Sequence, residues 1–94
     1  IKKNPSVFGS ALALEPDSPL KKLYCKYFYR VHHSIHEKWL MPPKYDYLHS
    51  AWYDNVKQSG KPGWSEPYFD KGGGEVYMCT YSYPFFDFQK HFLG

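Results

Sequence analysis

Hydrophobic and polar positions alternate most clearly over residues 23–31 (LYCKYFYRV). Leu23, Cys25, Tyr27, Tyr29 and Val31 fall on one side, and Tyr24, Lys26, Phe28 and Arg30 on the other. A period of two built from aromatic and β-branched residues predicts a strand facing two environments. Residues 6–14 (SVFGSALAL) are nearly continuously apolar and predict a buried strand. Pro16 and Pro19 in the following EPDSP end it. The stretch HHSIHEKWLMPPK fits neither period, and Pro42-Pro43 must stop whatever precedes them.

Asp46 then has the chemistry of a helix N-cap, with Tyr47, Leu48, Ala51, Trp52 and Asn55 on one face and Gly60 as the stop. Gly60, Pro62 and Gly63 mark a loop, and Gly72-Gly73-Gly74 a flexible turn. That turn leads into residues 75–83 (EVYMCTYSY), a second alternating strand with Tyr77, Cys79, Tyr81 and Tyr83 on one side. Pro84 closes it, and residues 85–93 read as the start of a further strand. Antiparallel hairpins with one helix over the sheet predict an α+β, PAS-like fold.

Ninety-four residues support one domain, here residues 1–94, with a single core. Hydrophobic residues at 43% and charged residues at 22% describe a folded globular chain. The aromatic share of 21% changes the picture, because Tyr and Trp line binding surfaces as readily as cores. Net charge is only +3, and beyond the pairs Lys2-Lys3 and Lys21-Lys22 the other Lys are scattered among acids. That pattern gives no stripe for nucleic acid. Cys25 and Cys79 do not form a disulfide framework and are expected as two buried free thiols. No apolar run reaches the roughly 18–20 residues needed to cross a bilayer.

Candidate chemistry narrows quickly. His32, His33 and His36 lack the helical pattern and acidic or thiol partners of a metal site, so no metal and no cofactor is expected. The glycine triplet lacks the Lys and Ser/Thr of a phosphate loop and precedes a strand rather than a helix. Glu66 and Asp70, four apart in a Pro-containing loop, fix no acid–base geometry. Catalysis has no support in these residues. What stands out is YDYLHSAWYDNVKQSGKPGWSEPYFD, which places Tyr45, Trp52, Tyr53, Tyr68 and Asp70 in one Gly/Pro-punctuated stretch. Trp64 reads as a packed loop anchor. The other rings and the carboxylate suit a pocket for a small cation, with electron-rich faces and a counter-charge.

WSEPYFD, the Gly-rich turn and MCTYSYPF together resemble the Cache domains, PAS-like extracytoplasmic sensors of bacterial chemoreceptors, sensor histidine kinases and diguanylate cyclases. Those domains carry W-x-x-P-Y-x-D followed by a T-Y-S-x-P strand. NPSVFGSALALEP is similar to the first strand of one branch. The resemblance implies a membrane-anchored receptor of the double-Cache type, sensing outside the cytoplasm and dimerising through a long N-terminal helix. It also implies that residues 1–94 are a fragment lacking that helix and the last strand.

In the amino-acid-binding branch the ligand motif is a Tyr, an Arg, a Trp-Tyr pair, Tyr-x-Asp and a later Asp. Tyr45, Trp52-Tyr53, Tyr68 and Asp70 match it. Ser50 stands where the Arg would be, and the later Asp would fall beyond Gly94. The Arg grips a ligand carboxylate, so its replacement moves the expected ligand from an amino acid to an amine. Arg30 is a candidate substitute charge. Three readings stay open beside this one: an aromatic platform for sugars or peptides, a Cache module with a collapsed pocket, and a metal enzyme using the histidines.

Overall fold

The structure is a computed structural model and describes residues 6–94. Asn4 and Pro5 of the first-strand motif, and the Lys2-Lys3 pair, lie outside the described residues. Three antiparallel strands form the main sheet in the order β1-β2-β3: β1 Gly9–Leu14, β2 Tyr24–Val31 and β3 Ser34–Trp39. The unassigned histidine-rich stretch thus completes a hairpin with β2, turning at His32-His33, and forms the other edge strand of the sheet.

Central β2 sorts its side chains as a strand between two environments must. Cys25 and Tyr27 are buried in the core, and the Tyr29 ring stacks on Tyr27 at 5.4 Å. On the opposite face, Lys26 pairs with Glu37 at 3.2 Å, and Tyr24 meets the edge of Trp39. β1 differs from the buried strand expected of it: Ser10, Ala11 and Leu12 are exposed, and only Ala13 is buried, opposite Cys25. Its place at the sheet edge, beside an open cleft, is the reason.

After the turn at residues 42–45, a short 3₁₀ turn at Tyr47–His49 precedes helix α1, Ala51–Ser59. Asp46 does not cap the α-helix. Its carboxylate bonds the His49 ring at 2.6 Å, and Ser50 occupies the N-cap position, its carbonyl accepting from Asp54 at 2.8 Å. The interposed turn also shifts the helical phase, so that Tyr53 and Val56 are buried while Ala51 and Asn55 are exposed. Gly60 ends the helix in the left-handed conformation (φ 70°) that a Cβ would penalise. Tyr47, fully buried, donates to the Leu14 carbonyl at 2.6 Å and accepts from the Tyr24 amide at 3.0 Å. These bonds join the helical segment to the sheet.

The rest of the chain is one long irregular hairpin. β4 Gly63–Trp64 pairs with β7 Tyr81–Ser82, and β5 Tyr68–Phe69 pairs with β6 Tyr77–Met78. The single strand expected over residues 75–83 is therefore split. Ser65, Glu66 and Pro67 oppose Cys79 and Thr80, with Ser65 and Thr80 bonded in both directions, an inserted residue that bends the ribbon. The bend carries the alternating tyrosines outward: Tyr77 is 80% and Tyr83 74% exposed. Cys79, expected buried, is exposed, and both thiols are free. Residues 85–93, read from the sequence as the start of a further strand, first turn back on themselves. They reverse tightly, with Phe86 bridging Phe92 and the Asp87 carboxylate accepting from the Gln89 and His91 amides. The Leu93 carbonyl then receives the Glu15 amide at 2.9 Å, tying this hairpin to the end of β1.

Candidate functional site

Asp70 follows β5 and is 5% exposed. Its Oδ1 accepts the Tyr45 hydroxyl at 2.6 Å, and Trp52 Nε1 donates to that same hydroxyl oxygen at 3.0 Å. A donor chain thus runs from α1 through the loop before it to the carboxylate. Oδ2 accepts the Gly74 amide at 2.9 Å, while the Asp70 carbonyl takes the Gly73 and Glu75 amides. The glycine triplet, expected as a flexible turn, is wrapped tightly round this acid. A Cβ at Gly73 would overlap Asp70 Oδ2, and one at Gly74 would meet Met78 and the Tyr27 hydroxyl within 3 Å.

Tyr68 lies two residues before Asp70 and so projects from the same side of the strand. Its hydroxyl shares a 2.6 Å hydrogen bond with Thr80 Oγ1. Tyr45, Trp52, Tyr68 and Asp70 make one wall between two clefts. The smaller, of about 370 Å³, is also lined by Lys44, Ser50 and Lys71. The larger, about 830 Å³, runs along β1 and takes in Tyr27, Leu40, Tyr53, Val56 and Thr80. The Tyr53 ring meets the edge of Trp52, but its hydroxyl points elsewhere, to Glu15 Oε1 at 2.7 Å. Arg30 lies on the face of β2 opposite Tyr27 and lines neither cleft. Trp64, expected as a packed anchor, is 71% exposed beside Tyr81, because the bulged ribbon turns it away from the core.

Electrostatics reinforce the geometry. Burial, with the bond to Asp70 second, pushes the Tyr45 hydroxyl well above the usual tyrosine range. It therefore stays a proton donor. Burial also raises Tyr68, partly offset by Thr80. No cation among the described residues forms an ion pair with Asp70. Each carboxylate oxygen has two acceptor positions, and the bonds from Tyr45 and Gly74 use one on each. The site can therefore accept further hydrogen bonds from a donor in the clefts. No group of three His, Cys, Asp or Glu residues that could hold a metal occurs among the described residues. Sequence patterns did not single out Lys38, Thr80 or Glu15, whose roles depend on which strands become neighbours. The Gly74 amide had a signal in the triplet, read there only as flexibility.

A family model described as the methyl-accepting chemotaxis protein-like, first PDC sensor domain matches residues 1–94. A crystal structure of the extracellular domain of soHK1S-Z6, a proposed histidine kinase, is similar at 37% identity with a TM-score of 0.80. The similarity covers 99% of this chain and 36% of that one, so this chain spans about a third of that relative's length. No curated protein matches. The α+β, mainly antiparallel fold agrees with that relative, and the chain belongs to the methyl-accepting chemotaxis protein-like first PDC sensor domain family.

Proposed function

We propose that this domain senses a small amine, with Tyr45, Trp52, Tyr53 and Tyr68 supplying aromatic walls and Asp70 the counter-charge. As a PDC sensor domain it works outside the cytoplasm. The observation that carries the amine reading is the buried Asp70 carboxylate, whose hydrogen-bond partners among the described residues are neutral while it lines both clefts. A buried carboxylate is stabilised most by a cation with hydrogen bonds to give, and an alkylammonium group supplies both. Cation–π contact with the rings adds roughly 0.5–2 kcal/mol for each ring engaged. Ser50 on the rim of the smaller cleft offers a hydroxyl where a carboxylate-gripping Arg would otherwise stand. That substitution favours an amine over an amino acid.

The receptor in this reading is a membrane-anchored homodimer of double-Cache architecture. This chain fills 36% of its structural relative, which leaves room for a second module there. Ligand binding would shift the balance of two receptor arrangements by its differential affinity for them. Calorimetry with methylamine, ethylamine, glycine and alanine tests the site. Ethylamine is expected to bind, and Asp70→Asn to weaken it at least tenfold; affinity unchanged in Asp70→Asn removes Asp70 from the role. If neither amines nor amino acids bind, the assignment fails. One observation supports a second reading as a sugar platform: exposed Trp64 lies 5.1 Å from the Tyr81 ring. Saccharide binding lost in Trp64→Ala and kept in Asp70→Asn would favour it.

A further inference from the structure

Lys38 is on β3, directly opposite Tyr27 of β2, and therefore shares the face that meets the larger cleft. Its side chain crosses the sheet, with Nζ 5.1 Å from the Tyr29 ring centre, and donates to the Gly73 carbonyl at 2.6 Å. A longer contact of 3.5 Å reaches the Gly72 carbonyl. Gly72 and Gly73 belong to the turn that wraps Asp70. The other backbone bonds of that turn are local, from Gly73 and Glu75 to the Asp70 carbonyl and from Asp70 to Val76. The ammonium is thus a long-range polar tie between the main sheet and the backbone that presents Gly74 N–H to Asp70 Oδ2.

We infer that Lys38 is a positioning residue for the ligand site: it pins the Gly72–Gly74 turn to the main sheet and so sets the orientation of the Asp70 carboxylate. The inference rests on the amine reading only for its effect on affinity. The geometry has a clear physical logic. A turn of three glycines has large backbone entropy to lose, and a charge-assisted hydrogen bond to its carbonyl holds it more strongly than a neutral one. The Tyr29 face holds the ammonium in place by cation–π attraction. Losing the tie leaves Asp70 its Tyr45 bond but lets the second oxygen lose its fixed donor.

The test compares Lys38→Met and Lys38→Arg with the unaltered protein, each first shown to be folded by circular dichroism. Amide exchange by NMR reads the turn without ligand, and calorimetry with ethylamine reads the site. Lys38→Met is expected to speed Gly74 exchange at least tenfold while α1 amides stay within twofold, and to weaken ethylamine five- to tenfold. Lys38→Arg, which keeps a charged donor, is expected to restore most of both. Unchanged Gly74 exchange in Lys38→Met overturns the inference. So does faster exchange spread evenly over α1 and β2, or a failure of Arg to rescue. If ethylamine does not bind the unaltered protein, the amine reading fails, and exchange alone then decides the role of Lys38.

Discussion

Two buried carboxylates in this small domain differ in how the chain meets their charge. Glu15 is 4% and Asp70 5% exposed, and each accepts a tyrosine hydroxyl, from Tyr53 at 2.7 Å and Tyr45 at 2.6 Å. At Glu15 the chain supplies its own cation: Lys57 Nζ lies 3.0 Å from the same oxygen that accepts Tyr53, and the Asp17 amide takes the other. Glu15 lines neither cleft, and it joins the end of β1 to α1 and, through its amide, to the C-terminal hairpin. At Asp70 the partners among the described residues are neutral, and the acid faces both clefts. A buried acid whose protein supplies the counter-ion is closed. One that lacks it is left with unmet demand for positive charge.

The largest expected effect is on stability. Glu15→Ala leaves the buried Tyr53 hydroxyl without its acceptor and removes the charge-assisted bond to solvent-exposed Lys57, and is expected to cost about 3 kcal/mol. For a domain of this size that is more than about 10 °C in melting temperature. Asp70→Asn keeps a polar amide at its site and should cost about 1 kcal/mol. Equal losses in thermal denaturation would break the contrast. Trp52→Phe removes the Nε1 donor from the Tyr45 hydroxyl and should cost a further order of 1 kcal/mol, read the same way. Full stability in that variant would mean that the donor chain to Asp70 is not engaged in solution.

Acid sharpens the comparison. Burial pushes the Glu15 carboxyl up, but the Tyr53 hydroxyl and Lys57 ammonium outweigh it, and the net position lies below the usual 4.5. The stabilisation from ionised Glu15 is therefore complete above about pH 4.5 and lost as pH falls through the lower folded value. Denaturant melts from pH 6 to pH 2 are expected to show this decline, and Glu15→Gln to reduce it. An unchanged acid profile in Glu15→Gln would show that the Lys57 pair carries no such linkage.

The smallest effect concerns the two thiols, which repeat the division between closed and open. Burial, then the Asp70 charge, pushes Cys25 up to about 12, whereas Cys79 is exposed on the rim of the larger cleft. A thiol reagent at pH 8 is expected to label Cys79 alone in the folded protein. Rapid labelling of Cys25 would mean that the core opens readily.

How far the sequence carried can be judged on particular residues. The alternation over residues 23–31 announced β2 and its inner face, because a strand's period is a local property. Gly60 announced the end of α1 for the same reason. The cluster from Tyr45 to Asp70 was visible as a pattern, and Tyr45, Trp52, Tyr68 and Asp70 do converge on one wall. The phase of α1 was misread because a 3₁₀ turn before Ser50 has no strong signature. Trp64 and Cys79 were expected inside, yet the bulge at Ser65–Pro67 turns them out.

The sequence by itself therefore determined the two faces of β2, the helix stop, the α+β class and the aromatic-acidic motif, all of which follow from short-range periodicity and composition. Only the tertiary structure decided how the partners are shared out. It sent the Tyr53 hydroxyl to Glu15 and the Tyr45 hydroxyl to Asp70, gave Lys57 to the first acid, and brought Lys38 to the glycine turn that holds the second. The reason is physical. Residues such as Glu15 and Lys57, or Lys38 and Gly73, are far apart in the chain and become neighbours only when the sheet, helix and hairpin pack. No local period encodes that distance.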